Sequence, residues 1–117
     1  VAVPSVAAHS HQVRDLNDAF RRSFSSGRVV LTAGVVALPE ATRTSLLAMV
    51  RDFDAFDAFD ADNDPHREHD FGEVASGEVR AFWKIDAYDR TLTFASPDST
   101  DPAVTVRVLT VMLAEEY

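Results

Sequence analysis

The densest chemistry in the chain lies between Asp64 and Asp70, where Asp64, Glu68 and Asp70 share a short stretch with His66 and His69. Imidazole and carboxylate suit zinc, manganese or iron, so Asp64, His66, Glu68, His69 and Asp70 form a candidate metal set. The spacing of His66 and His69 puts them on one side of a helix but on opposite faces of a strand. Just upstream, Asp60, Asp62 and Asp64 alternate like the first half of a calcium loop. Pro65 stands where that loop needs glycine and Phe71 where it needs a bidentate glutamate, which argues against an EF-hand-type site.

The same block offers acid–base chemistry. Glu68, His69 and Asp70 meet Lys84, Asp86 and Tyr88 if strands at 69–74 and 79–88 pair, with Asp89 close by. A histidine beside a carboxylate can carry a proton near neutral pH. Nothing marks a nucleophile: the chain has no cysteine, no serine elbow and no Gly-rich phosphate loop. A purely structural account covers the block better. In it Asp64 caps a turn, and Glu68 and Asp70 pair with Lys84, Arg80 or Arg107. His69 donates to a carbonyl or carboxylate, Lys84 pairs with Asp86 along one strand face, and Trp83 is core. Catalytic and metal roles are therefore the alternatives, and no cofactor is indicated.

Charge points elsewhere. Residues 52–73 hold nine acids against one base, Arg67, and this accounts for the whole formal net charge of −8. Asp52, Asp54, Asp57, Asp60, Asp62 and Asp64 present spaced carboxylates that can imitate a run of phosphates. The leading expectation is a non-enzymatic protein that meets a basic, nucleic-acid-binding partner there, with fast, salt-sensitive association. The plain alternative is a solvated helix end that aids solubility. The acidic balance argues against direct binding of nucleic acid or anionic membrane through a basic face. The absence of cysteine excludes disulfides and fits a reducing cytoplasm. The apolar runs fall short of a membrane span, and residues 1–8 lack the basic leader of a signal peptide.

These groups need a scaffold, and 117 residues suffice for one domain. We expect a flexible tail over 1–11, carrying His9 and His11, and a single domain over 12–117. Val13, Leu16, Phe20 and Phe24 form a helical stripe, with Arg14, Asp18, Arg21 and Arg22 on its wet side. Ser25-Ser26-Gly27 ends that helix. Arg28–Leu38 is apolar and β-branched, which suggests a central strand buried on both faces, with Gly34 at a bulge or bend. Pro39 and Glu40 open a second helix, buried through Leu46, Leu47, Val50 and Phe53. The triplets Phe-Asp-Ala at 53–61 drift off that stripe, because a period of three falls short of a helical turn.

Three strand-like segments follow, 69–74, 79–88 and 91–95, joined by turns at Ser76-Gly77 and Asp89-Arg90. Along the second, Val79, Ala81, Trp83, Ile85 and Ala87 face the core, and Arg80, Phe82, Lys84, Asp86 and Tyr88 face away. Residues 101–117 have strand propensity, but Asp101-Pro102 is a helix-start signature and Val108, Leu109, Met112 and Leu113 make a helical stripe. We therefore expect a helix there. The fold class is α+β, an antiparallel sheet of about four strands packed by three helices in the order α-β-α-β-β-β-α.

The segments LNDAFR (16–21), GRVVLTAGV (27–35), NDPHREHDFG (63–72), WKIDAYD (83–89), SPDSTDP (96–102) and RVLTVMLAEEY (107–117) together resemble an uncharacterised proteobacterial domain family. The resemblance covers nearly the whole chain from Leu16. His66 stands where an aromatic is usual, Ala87 where a second tyrosine is usual, and Ser99 where proline is usual. The family implies no activity. It implies a context, accessory genes of plasmids and other mobile elements, and hence a role in transfer or in evading host defence.

Overall fold

The computed structural model describes residues 6–56 and 59–117. Helix α1 runs Val6–Ser23 and ends with Arg21 and Arg22 in its last turn, where cations suit the helix dipole. It begins well before the stripe that marks it in the sequence. The expected tail over 1–11 thus splits: residues 1–5 lie outside the described residues, and 6–11 are helical. Phe24 and Ser26 then take left-handed backbone angles, φ 55° and 70°, and turn the chain into strand β1, Arg28–Leu31.

β1 is short and lies at an edge, in place of the long central strand expected over Arg28–Leu38. The apolar run divides at Thr32, and Ala33–Val36 make the single-turn helix α2. Glu116 fixes the division. Its carboxylate accepts from Thr32 Oγ1 at 2.6 Å and from the Gly34 N–H at 3.1 Å. A Cβ at Gly34 would come within 2.6 Å of Glu116 Oε1 and Leu113 Cδ1, so glycine is needed for that approach rather than for a bulge. Helix α3, Glu40–Arg51, follows Pro39, and the chain tightens into a 3-10 turn at Phe53–Phe56.

Strands β2 (Phe71–Ser76) and β3 (Val79–Tyr88) form a hairpin in which Ser76 pairs with Val79. Gly77, at φ 62°, supplies the left-handed first turn residue of that two-residue loop. Residues 91–95 do not make the expected strand. Tyr88 and Ala95 form one isolated bridge, and Asp89 organises the turn by accepting from the Thr91 and Thr93 N–H groups and from Thr91 Oγ1.

The expected C-terminal helix is strand β4, Val106–Leu113. Asp101 and Pro102 do start a helical turn, and the Asp101 carboxylate accepts from Ala103 N, but the turn is a 3-10 piece that ends at Val104. β4 takes the middle of the sheet, with order β1-β4-β3-β2. It pairs antiparallel with β3 and parallel with β1, so the α+β fold has a four-stranded mixed sheet rather than a wholly antiparallel one. Helices cover one face: Phe20, Val35, Leu46, Val50 and Phe53 pack on Val74, Ala81, Trp83, Ile85, Leu109 and Val111. The other face of β3 carries Arg80, Phe82, Lys84, Asp86 and Tyr88, as its alternation indicates. No described helix is long and apolar enough to cross a membrane.

Candidate functional site

α1 keeps Asp15 and Arg22 in water but not all of its charges. Asn17, Asp18 and Arg21 are buried, and the Arg21 side chain is sealed completely. Asp18 and Arg21 lie one helical turn apart, so their side chains meet, Nη1 to Oδ1 at 2.7 Å. Arg21 Nη2 donates to Asp54 Oδ1 at 2.6 Å, and Arg22 pairs with the other oxygen of the same carboxylate. The Arg21 guanidinium also lies 5.5 Å from the Phe59 ring centroid and 5.4 Å from that of Trp83, a cation–π arrangement that offsets part of the cost of burial.

His69 closes the cluster from the loop side. Its ring stacks on Phe59 with centroids 3.8 Å apart and planes 4° apart. Nδ1 lies 2.9 Å from Asp18 Oδ1, and Nε2 lies 3.5 Å from Asp64 Oδ2. Asp64 is buried, and its other oxygen accepts the His69 backbone N–H at 3.1 Å. Arg67 and His69 both hold left-handed angles, φ 55° and 54°, which the loop tolerates because these contacts fix it. Between the loop and α1 is a cleft of about 580 Å³ lined by Asp18, Arg22, Asp54, Asp60, Arg67 and His69.

The electrostatics divide the acids into two groups. Burial works against the Asp54 charge, but the hydrogen bond from Arg22 and the charges of Arg21 and Arg22 outweigh it. They hold its carboxyl below the ordinary aspartate value. Glu68 and Asp70 go the other way. Burial pushes both carboxyls up, and neighbouring acids add to it, Asp70 for Glu68 and Asp64 and Asp86 for Asp70.

The residues singled out in the sequence therefore part company. Asp54 and Asp64 are consumed inside the fold. Asp52 is exposed at the end of α3, and Asp62 is exposed in the following loop. Asp60 is exposed, and its Oδ1 accepts the Asp62 and Asn63 N–H groups. Asp57 lies outside the described residues. His66 is exposed, and among the described residues no group of three or more His, Asp or Glu side chains is placed to hold a metal ion.

Lys84 and Asp86 pair at 3.1 Å on the open sheet face, which they share with Tyr88. His69 instead stacks on Phe59, which packs with Trp83 on the covered side. The sheet thus separates the His69 ring from Lys84, Asp86 and Tyr88. Arg80 pairs with Glu73 rather than with Glu68 or Asp70, and Arg107 binds Asn17 Oδ1 and the Ser99 carbonyl.

Asn17, Asp18, Arg21, Arg22 and Phe59 are the members of the cluster that the sequence reading did not place there. One signal was present, the Asp18–Arg21 spacing. The family described as "Protein of unknown function (DUF3768)" matches residues 31–116. The chain belongs to that family. The DUF3768 match spans β2, β3, β4, α2, α3 and the Asp64–Asp70 loop and takes in only Leu31 of β1, while α1 precedes it. No curated protein and no solved structure matches the chain.

Proposed function

We propose that this DUF3768 protein is a small, acidic, non-enzymatic interaction protein that binds a basic, nucleic-acid-binding partner along its 52–73 segment. One observation carries the reading. Asp52, Asp60 and Asp62 are exposed with no salt bridge among the described residues, while Arg21 and Arg22 are spent on Asp18 and Asp54. A basic partner would supply the missing positive charge, with an attraction that salt weakens. The surface is narrower than the charge run, because Asp54 and Asp64 face inward. The resemblance to accessory genes of plasmids and mobile elements favours a host-defence nuclease or its targeting complex as the partner.

The test is retention of host proteins on the tagged chain at low and high salt, with the variant carrying Asp52→Asn, Asp60→Asn and Asp62→Asn in parallel. A basic nucleic-acid-binding protein held at low salt, released at high salt and lost with the variant is the expected result. Retention that ignores both salt and the three substitutions would sink the proposal. Asp54 must stay intact in this experiment, since changing it breaks the Arg21 pair and confuses binding with folding.

The second reading, a small enzyme or ligand-binding domain, draws on the position of His69 in the wall of the cleft beside α1. In that case His69→Gln would remove an activity or a ligand-induced rise in melting temperature while leaving the partner bound.

A further inference from the structure

A second cleft, of about 360 Å³, lies on the other side of α1, between its C-terminal half and the start of β4. Its distinguishing residue is Arg107. This side chain enters the covered layer from β4, and the residue is only 6% exposed. Nε donates to Asn17 Oδ1 at 2.8 Å, and Nη2 donates to the Ser99 carbonyl at 2.5 Å. Both acceptors are neutral, and no carboxylate among the described residues pairs with the guanidinium. Glu68 acts on it only at longer range, while burial disfavours its charge. A buried cation without a counter-ion is costly, and proteins normally supply one.

Nη1 remains. It has no protein acceptor among the described residues. The space that Arg107 borders is the second cleft, which it shares with Leu16, Phe20 and Pro102 and with the hydroxyl residues Ser25 and Ser26. The rim segment is also strained. Phe24 and Ser26 both hold left-handed angles without being glycine, a cost of the kind retained where a segment is held for a purpose. The volume is within the range of small-molecule sites.

We infer that this cleft binds a small organic carboxylate, with the anion on Arg107 Nη1 and the apolar body against Leu16 and Phe20. A guanidinium matches a planar carboxylate in charge and geometry. One cation calls for one negative charge. A dianionic phosphate would leave an excess charge in a chain already at −8, and it offers nothing to the apolar wall. This site is separate from the acidic surface, and either can fail without the other.

The experiment is a nitrogen-15 NMR titration of the full chain with hexanoate, hexanamide and inorganic phosphate, observing backbone amides and arginine side chains. Hexanoate is expected to shift the Ser25 and Ser26 amides and the Arg107 guanidinium saturably. The neutral amide and phosphate are expected to leave them in place. Arg107→Met should weaken hexanoate by at least about tenfold, the loss expected for a charge-assisted hydrogen bond. Ala19→Phe is a second variant, from an exposed residue on the wall of the same cleft, and should abolish binding in a chain that remains folded. The inference is overturned if hexanoate produces no saturable shift at millimolar concentration or if phosphate binds in its place. Hexanoate binding that survives Ala19→Phe overturns it equally.

Discussion

The sealed guanidinium of Arg21 meets the carboxylate of Asp54 at 2.6 Å, joining α1 to the turn after α3 across 33 residues of chain. Removing one member of such a pair strands the other. Asp54→Ala should cost about 2–3 kcal/mol, below the range for a fully buried pair because 19% of the Asp54 side chain stays exposed. Asp62→Ala, in the same acidic run, should change stability by no more than about 0.5 kcal/mol. Urea unfolding of the two variants measures the contrast. Equal costs would mean that the acidic run acts through general repulsion and not through this contact.

The opposite displacements of Asp54 and Asp70 predict opposite pH dependences. The Asp54 carboxyl is held low, so its contribution is present above the unfolded value, about 3.9, and is lost as pH falls through the lower folded value. The Asp70 carboxyl is pushed up, so its ionisation opposes folding at neutral pH, and that opposition fades as pH falls from the raised value toward about 3.9. Asp70→Asn should therefore raise the melting temperature at pH 7, with no gain left near pH 3.5. A gain of the same size at both values would assign the effect to something other than this carboxyl.

The fold was legible where one rule acted alone. Alternation along 79–88 identified the covered face of β3, and Pro39-Glu40 marked the start of α3 to within a residue. β4 was not legible, because Arg107 sits on its inward face. The buried set Thr105, Arg107, Leu109 and Val111 has a charge in the middle, which hides the period of two behind a helical stripe on the neighbouring residues. Central position and pairing on both sides then override the helix-start signal at Asp101-Pro102. The site was half legible for a related reason. A polar stripe on an amphipathic helix suggests solvent, and only tertiary contact with Asp54, Phe59 and His69 makes Asp18 and Arg21 interior residues.

Two glycines of the β2–β3 hairpin separate steric from conformational cost. A Cβ at Gly72 would lie 2.5 Å from Phe53 Cζ and from Trp83 Nε1, inside the core. A Cβ at Gly77 would meet nothing within 4 Å, but the residue holds φ 62°. Gly72→Ala should cost about 1–3 kcal/mol by overpacking. Gly77→Ala should cost about 1–2 kcal/mol from the left-handed backbone alone. Gly77→Asn should recover much of that, since Asn tolerates this region, whereas Gly72→Asn should be worse than Gly72→Ala. Chemical denaturation of the four variants decides it. Tolerance of Asn at Gly72 would show that Phe53 and Trp83 can give way, and that the core beneath the His69 loop is less tightly set than its distances indicate.

His69 decides between a clamp and a catalyst. Its ring contributes stacking on Phe59 and a hydrogen bond to Asp18, and its backbone holds a left-handed angle. Truncation to alanine removes the stack, about 0.5–1.5 kcal/mol, and the bond to a charged group, about 1.5–3 kcal/mol. We expect His69→Ala to cost about 2–4 kcal/mol in urea unfolding. His69→Asn should cost less, because asparagine accepts the left-handed angle and can still donate to Asp18. Partner retention at low temperature should be the same for both variants, since the exposed carboxylates at 52, 60 and 62 do not touch the ring. A His69→Ala protein as stable as the parent would remove the clamp. The ring would then be held beside the cleft for something other than the fold, and the ligand-binding reading would take precedence over the interaction surface.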